Sequence, residues 1–429
     1  MNIIVNPPKT DWPEICRRNI PDDTVIEESV AGILNEVKHR GDAALKHFAR
    51  EFDGVENLAI KVTRQEIEEA CSLVSEEVKR AISIASENIE KFHKAQLPKE
   101  IKVEVQPGVT CYQKGVAIKR VGLYIPGGRA PLFSTVLMLG LPARIAGCNE
   151  VVLCTPRGKN GRISPEILYA ASVCGISEIY GVGGAQAIGA LAYGTESIRP
   201  VNKIFGPGNR YVTKAKMKVS DKVAIDMPAG PSEVLVMADE TANPLFVAAD
   251  LLSQAEHGPD SQAILVTTDK RIAERVEAEV KELKKHLSRT DSIEKSLSKS
   301  HAIVFDSIDT CVEFIDTYGP EHLIISAKNP WKIAGEVSVA GSVFIGNFSP
   351  ESAGDYASGT NHTLPTSGWA ASYSGVNIDS FIHKITYQEL TPQGLENLGD
   401  TITSMAKAEG LDAHALAVEV RLQERRVGK

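Results

Sequence analysis

Hydrophobic residues in the first quarter of the chain recur at helical spacing. Between residues 63 and 97 apolar side chains return every three or four positions, and Thr63 with Glu66 forms a capping-box pattern. This pattern predicts one long amphipathic helix over residues 63–97. The apolar positions concerned are Ile67, Ala70, Val74, Val78, Ile82 and Ile89.

From Val116 onward the pattern changes to short apolar runs that alternate with helical stretches. Such alternation is typical of parallel βαβ units, so the sequence predicts an α/β fold with parallel sheets. The strands predicted in the first series are 121–125, 151–154, 178–182, 203–205 and 223–225. Those of the second series are 234–237, 263–267, 302–305, 322–326 and 342–345.

The tail of the chain differs from these two series. From Gly375 it shows no series of strands and has too few apolar residues for a core of its own. We therefore expect it to form an arm that packs on something else. Because the chain has 429 residues, we expect two domains in addition to such arms.

Charge and hydropathy restrict the partners. The formal net charge of -8 opposes binding to phosphate backbones and anionic lipids. No apolar run approaches the roughly 20 residues that span a bilayer, and residues 1–10 lack the apolar core of a signal peptide. We expect a cytoplasmic protein that binds neither nucleic acid nor membranes. Its seven cysteines are scattered without a Cys-x-x-Cys pair, which favours reduced thiols.

Three glycine-rich segments follow predicted strands. They are VGLYIPGG at 121–128, the glycines of 181–184 that lead into 185–194, and FGPGN at 205–209. Each alone is more typical of a tight turn, and Gln186 stands where the last glycine of G-x-G-x-x-G would be. Three such loops in one βαβ series favour a dinucleotide site, because helix N-termini there offer free N–H groups to phosphate.

Polar residues that could bind a metal ion or transfer protons lie after residue 230. Gln254 and His257 are three residues apart near the end of a helix predicted at 244–256, which suits half a metal site or a capped helix end. Glu321 and His322 lie side by side before an apolar strand, which suits acid–base chemistry or an ordinary turn.

Two further segments carry polar residues of this kind. Residues 347–375 lack helical and strand periodicity and hold Asp355 and His362. Long irregular loops in compact enzymes are usually functional, so we expect this one to be. Glu409 and His414 lie near the start of the last predicted helix, where by themselves they are ordinary polar residues.

Eight of these segments occur together in a fixed order, and in that order the chain resembles the histidinol dehydrogenase family from about residue 25 to 421. The resemblance implies an NAD-dependent oxidoreductase that converts L-histidinol to L-histidine, the last step of histidine biosynthesis. The segments are VGLYIPGG, VGGAQAIGALAYGT, FGPGN, PAGPSEVLV, LLSQAEHGPDSQAILVT, YGPEHL, SAGDYASGTNHTLPTSG and EGLDAHALAVEV.

The resemblance also implies roles for individual residues. The zinc ligands are Gln254, His257, Asp355 and His414. The acid–base pair is Glu321 and His322, and the NAD contacts are Tyr124, Gln186 and Asn209. The substrate contacts are Ser232, Gln254, His257, His322, Asp355, His362, Glu409 and His414. All of these residues are present.

The same resemblance implies two incomplete Rossmann-like domains in an intertwined homodimer, with one zinc ion per subunit. We expect an N-terminal arm at 1–21 and a first domain built from 22–124 and 234–374, which carries the zinc and acid–base residues. The second domain, at 125–233, holds the cofactor loops. The C-terminal arm, at 375–429, is exchanged with the partner subunit.

Three other interpretations stay open at this point. The chain could oxidise another small alcohol, hydrolyse a bond with zinc, or bind a nucleotide without catalysis. A covalent route through a cysteine would need an activated thiol, for which Cys111 and Cys148 are the candidates. We interpret both as structural, since Cys148 closes an apolar helix and Cys111 has no neighbouring histidine in the sequence.

Overall fold

The structure, a computed structural model, describes residues 1–18, 24–127, 131–228 and 230–427. The chain divides into two units, of which the first comprises Met1–Gln96 and Ile118–Phe381. The second comprises Leu97–Ala117 and Ile382–Lys429. Two predictions fall outside the described residues: the last glycine of VGLYIPGG, Gly128, and the boundary between residues 21 and 22.

In the part of the chain that the structure describes, fourteen strands form three sheets. The strands are β1 Asn2–Val5, β2 Ile101–Gln106, β3 Val109–Ala117, β4 Arg120–Tyr124, β5 Glu150–Cys154, β6 Glu178–Tyr180, β7 Lys203–Phe205, β8 Ala224–Ile225, β9 Glu233–Ala238, β10 Gln262–Thr267, β11 His301–Val304, β12 His322–Ser326, β13 Ser342–Ile345 and β14 Ile382–Leu390.

The α-helices of the described residues are α1 Trp12–Ile15, α2 Thr24–Arg40, α3 Asp42–Phe48, α4 Arg64–Leu73, α5 Glu76–Lys94, α6 Phe133–Ala146, α7 Pro165–Val173, α8 Gly184–Tyr193, α9 Arg210–Lys218, α10 Pro244–Ala255, α11 Lys270–Leu283, α12 Thr290–Leu297, α13 Ile308–Tyr318, α14 Pro330–Glu336, α15 Glu351–Tyr356, α16 Pro392–Ala408 and α17 Asp412–Val427.

The first unit contains two parallel sheets. One has five strands in the order β6-β5-β4-β7-β8, and the other has six in the order β1-β11-β10-β9-β12-β13. Apolar clusters cover both faces of each sheet. Strands covered on both faces need nearly continuous apolar runs, as β9, β10 and β12 show.

The predicted α/β class with parallel sheets is confirmed, and every strand predicted from the sequence overlaps an observed strand. The single helix predicted over residues 63–97 is wrong. The chain forms α4 and α5 instead, because Val74 adopts an extended conformation and the Ser75 side chain caps α5 by accepting from Val78 N–H. Apolar periodicity continues across such a break because both helices pack on the same core.

Four strands were not predicted. β1 joins the edge of the six-stranded sheet beside β11. The second unit is a three-stranded antiparallel sheet, β14-β3-β2, with helices α16 and α17 packed together. The tail thus contains a nine-residue strand paired with β3, which the absence of a strand series had not indicated. Half-polar strands give weaker signals than the buried strands of the parallel sheets.

The predicted domain boundaries stay a prediction. β4 lies in the five-stranded sheet with the strands of the predicted second domain, whereas the sequence had assigned residues 22–124 to the first. Among the described residues, no helix combines the length and apolar character needed to cross a bilayer.

Candidate active site

A cavity of about 150 Å³ in the first unit brings together residues from both parallel sheets. Glu321 and His322 line it at the amino end of β12, and Ser232 lines it just before β9. Gly206 and Pro207 line it after the carboxyl end of β7. The amino end of the six-stranded sheet and the carboxyl end of the five-stranded sheet therefore share one cavity.

Backbone contacts at the amino end of β9 hold the acid–base pair. The Glu321 carboxylate accepts from Glu233 N–H at 2.9 Å, and His322 Nδ1 lies 3.2 Å from the Glu233 carbonyl oxygen. A carbonyl only accepts, so we assign the ring proton to Nδ1 and the lone pair to Nε2. Nε2 is buried, and no described residue forms a hydrogen bond with it. The imidazole is thus a free base facing the cavity.

Burial sets the charges of this pair. It raises the pKa of Glu321 well above its usual range and lowers the pKa of His322 to about 3. The neutral imidazole that results is the form that accepts a proton. A positive charge bound in the cavity would lower the pKa of the carboxyl group and allow it to act as a base.

The two side chains do not point to opposite sides, as neighbours within a strand would. His322 Nδ1 lies 3.7 Å from Glu321 Oε2 because Glu321 precedes the strand, which begins at His322. Both groups can therefore reach one substrate carbon from the same side.

A group of possible metal ligands adjoins His322. One ligand atom from each of His257, Glu351 and Asp355 lies within 4.8 Å of the others. Asp355 Oδ1 is 3.7 Å from His322 Nε2. Gln254 and His257 come from the end of α10, and Glu351 and Asp355 come from consecutive turns of α15. Three donors thus converge from α15 and the residues that follow α10, two helices in contact, and Gln254 lies in α10 three residues before His257.

Several of these donors lack partners. Gln254 is 0 % exposed and Glu351 is 1 % exposed, and in the part of the chain that the structure describes no hydrogen bond reaches the polar side-chain atoms of either. Burial raises the pKa of Asp355 to about 6 and that of Glu351 well above its usual range. Buried carboxyl and amide groups without partners are costly, and a divalent cation would satisfy them. The donor set of nitrogen and oxygen atoms fits zinc.

His362 is held in one tautomer. Its Nδ1 lies 2.8 Å from the Asp355 carbonyl oxygen and its Nε2 lies 3.0 Å from Thr135 Oγ1. Nδ1–H therefore donates to the carbonyl, and the hydroxyl donates to Nε2. Burial lowers the pKa of His362 to about 4, so the ring stays neutral. This arrangement ties the backbone of Asp355 to α6.

The carboxyl end of the five-stranded sheet suits a dinucleotide. Numbered along the chain, its strands have the order 3-2-1-4-5, which is the Rossmann order without the sixth strand. Helix α8 begins at Gly184 without a described side-chain cap at Gly183, so the N–H groups of its first turn that follow Gly184 suit an anion. Tyr124 closes β4 and accepts a hydrogen bond from Gly184 N–H at 3.1 Å. A Cβ atom on Gly183 would lie 2.5 Å from Pro156 Cβ, so only glycine fits there.

Comparison with known proteins identifies the family. The sequence model described as histidinol dehydrogenase matches residues 16–422. A curated histidinol dehydrogenase of Bacteroides fragilis is 56% identical over 425 residues, which is 99% of each chain. The chain belongs to the histidinol dehydrogenase family. One from Bacteroides thetaiotaomicron is 54% identical over 98% of this chain and 99% of its own. The crystal structure of histidinol dehydrogenase from Elizabethkingia anophelis superposes with a TM-score of 0.97 at 50% identity, covering 99% of both chains.

The structure brings most of the residues implied by the histidinol dehydrogenase resemblance to this region. Ser232, His257, Glu321, His322, Asp355 and His362 line the cavity. Gln254 lies in the last turn of α10, three residues before His257, which follows the helix. Tyr124, Gln186 and Asn209 lie at the carboxyl end of the five-stranded sheet, where Asn209 caps α9. Glu409 and His414 belong to the second unit, in which both are exposed.

Sequence reasoning missed Glu351, because residues 347–375 show no periodicity. A helix of six residues is too short to display one, yet α15 begins there. The available signal was Pro350 followed by an acid, a common helix start, and a second acid four residues later. It also missed Lys216 and Asp226, which line the cavity beside the Gly206 loop.

The cysteines lie away from this chemistry. None of the seven is disulfide-bonded, all seven are among the described residues, and none of them lines the cavity. Burial raises the pKa of the Cys148 thiol to about 11, and the thiol donates to the Phe381 carbonyl at 3.7 Å. Such a thiol stays protonated and unreactive at pH 7.

Proposed function

We propose that the protein oxidises L-histidinol to L-histidine through a bound aldehyde, using two NAD and one zinc ion per site, as the last step of histidine biosynthesis. The observation that carries this proposal is that His322 Nε2, beside Glu321, has no described hydrogen-bond partner in a cavity that is also lined by His257 and Asp355. An alcohol oxidation needs a neutral base at the hydroxyl, and His322 is one.

His322 serves both oxidations in this proposal. In the first, Nε2 accepts the hydroxyl proton while a hydride leaves the alcohol carbon, which becomes the aldehyde carbon. In the second, Glu321 accepts a proton from water, the resulting hydroxide attacks that carbon, and protonated His322 returns its proton to the carbonyl oxygen to give the hydrate. Neutral His322 then accepts the proton of a hydrate hydroxyl as the second hydride leaves, which yields the carboxylic acid, and this loses a proton to give the carboxylate. The short separation of the two side chains lets the intermediate stay in place.

Metal and cofactor occupy opposite sides of the cavity in this proposal. Gln254, His257 and Asp355 would hold zinc, and the buried Glu351 carboxylate belongs beside them. Zinc bound there would supply a positive charge that attracts the imidazole and amine nitrogen atoms of the substrate. Tyr124, Gln186 and Asn209 would hold NAD, which accepts the hydride when bound. The substrate ring and amine are contacted by Ser232 and His362 in addition to the metal donors.

A homodimer is also part of the proposal. The family resemblance assigns Glu409 and His414 to the active site, and we propose that both come from the partner subunit. Co-expression of a His322→Ala chain with a His414→Ala chain tests this, since one site of each mixed dimer would be intact. We expect roughly a quarter of wild-type activity. No recovery, with mixed dimers detected by mass spectrometry, would show that His414 acts in its own chain.

One assay tests the oxidation itself: NADH formed per L-histidinol consumed, measured at 340 nm with and without a chelator. The expected ratio is two, with L-histidine as product and strong loss of rate on chelation. A ratio of one would indicate an alcohol dehydrogenase that releases its aldehyde. Turnover of a substrate without NADH would indicate a hydrolase, and neither result is compatible with the proposal.

A further inference from the structure

A buried ion pair lines the cavity without a part in the chemistry above. Lys216 of α9 and Asp226, just after β8, are 4 % and 1 % exposed and form a direct salt bridge. Both residues line the same cavity as Glu321 and His322.

The pair binds both backbone polar groups of Gly206. Lys216 Nζ donates to the Gly206 carbonyl oxygen at 2.8 Å, and Gly206 N–H donates to Asp226 Oδ2 at 2.8 Å. The other oxygen of Asp226 accepts from Met227 N–H at 2.7 Å. A single glycine is thus fixed from two sides by opposite charges.

Gly206 lies so close to the end of β4 that the backbone has little room to move there. It follows the last residue of β7 and has a φ of +123°, and a Cβ atom there would lie 2.0 Å from the Tyr124 carbonyl oxygen. The loop that starts at Gly206 lines the cavity through Pro207 and ends at Asn209, which caps α9. The ion pair therefore sets the distance between this loop and the end of β4.

Stability alone is a weak reason for such a pair. Removing two charges from water is costly, and apolar residues of similar volume are often as stable or more stable. At the amino end of the same sheet, Arg120 pairs with Glu150 and Glu178, whose side chains are 28% and 26% exposed and so stay partly hydrated. The side chains of Lys216 and Asp226 have almost no such hydration, and two of the three hydrogen bonds they form with the backbone are to Gly206.

We infer that Lys216 and Asp226 are positioning residues for the dinucleotide: they hold residues 206–209 in the conformation that binds the cofactor beside His322. This inference rests on the proposed function, because it assigns the loop to NAD. Since the two charges cancel, the pair fixes the loop without adding a net charge beside the cationic nicotinamide ring.

The test uses the double variant Lys216→Met with Asp226→Leu, which removes the pair without leaving a buried charge unpaired. We expect amide hydrogen exchange of residues 206–209 to become faster in the cofactor-free protein. NADH fluorescence titration should show a dissociation constant raised about tenfold, because the loop is no longer preorganised. Zinc content, the KM for L-histidinol and the melting temperature should stay near the wild-type values.

Lys203→Met is the matched control. Lys203 begins β7 at its other end and donates to the Ser380 carbonyl at 2.8 Å, so this change removes a half-buried lysine from the same strand without touching the loop. We expect wild-type NADH affinity and wild-type exchange at residues 206–209. The conservative variant Asp226→Asn keeps an acceptor for Gly206 N–H and should fall between the wild type and the double variant.

The outcomes separate this inference from the proposed function. If the wild-type protein binds no NADH, the proposed function fails first. If the wild type binds NADH and the double variant binds it equally well with unchanged exchange, the positioning role is wrong. A parallel loss of NADH affinity, histidinol affinity and melting temperature would show that the pair only stabilises the fold, which also overturns the inference.

Discussion

The two parallel sheets face the cavity with opposite ends. The five-stranded sheet presents the carboxyl ends of its strands, where loops lead into helices α8 and α9. The six-stranded sheet presents the amino ends of β9 and β12, where Glu233, Glu321 and His322 lie. Ligands of open α/β sheets usually bind at carboxyl ends, so the second arrangement departs from the rule.

This difference determines which atoms are available. Carboxyl ends lead into helix N-termini, whose open N–H groups suit the phosphates of a cofactor. Amino ends receive the C-termini of helices, so the functional groups there are side chains, and of these His322 Nε2 is buried without a described hydrogen-bond partner. The cofactor side, at the carboxyl end of the five-stranded sheet, therefore depends on backbone geometry and on glycine. The chemical side, at the amino end of the six-stranded sheet, depends on the identity of a few side chains. Five substitutions test this contrast.

The largest expected effect is a loss of kcat on substitution of the acid–base pair at the amino end of β12. His322→Ala should lower kcat by about 10³-fold or more, because both oxidations lose their base. Glu321→Gln should spare the oxidation of histidinol and slow the oxidation of the aldehyde, because only the latter needs activated water. Single-turnover rates with each substrate measure both steps, and NADH affinity serves as the control. Equal slowing of both steps by Glu321→Gln would contradict the division of roles.

Glu351→Gln tests the residue that periodicity did not reveal. Its carboxylate lies among the metal donors and accepts no described hydrogen bond, so its loss should weaken zinc binding by about 10–100-fold. Competition with a chromophoric chelator measures the affinity. Glu256→Gln, an acid next to His257 and outside the donor group, is the matched control for loss of nearby charge. Equal affinities in the two variants would remove Glu351 from the metal site.

Gly206→Ala tests the cofactor side through the backbone alone. The added methyl group meets the Tyr124 carbonyl at a positive φ, so we expect a loss of about 2 kcal/mol or more in the free energy of unfolding. NADH affinity should also fall, while zinc affinity stays unchanged. Gly32→Ala in α2, where a methyl group meets nothing within 4 Å, is the control. Wild-type stability of Gly206→Ala would refute the close approach of β4 and β7.

The smallest effect is expected at Cys148. Because its thiol is protonated and lies away from the cavity, Cys148→Ser should keep kcat within about twofold of wild type. Steady-state NADH production measures this, with circular dichroism to verify folding. A loss of several orders of magnitude in a folded variant would restore a covalent route through a cysteine.

Local sequence patterns predicted the parts of the molecule that are buried on both faces. β9, β10 and β12 read as continuous apolar runs, and the helix at 244–256 is observed as α10 with Asn243 as its cap. The periodicity of apolar residues did not predict the half-polar strands of the second unit or the break between helices at Val74. Alternation is weak on an exposed sheet, and a two-residue break leaves the apolar period almost unchanged.

The sequence by itself determined the fold class, ten of the described strands and the family-specific residues, because each depends on residues close together along the chain. Only the tertiary structure decided that an amino end faces a carboxyl end across one cavity, and that Glu351 joins His257. It alone showed that Lys216 and Asp226 hold Gly206. Such contacts join residues far apart in sequence, and their geometry depends on how whole helices and sheets pack. The spacing of apolar residues along one helix or strand carries no information about that packing.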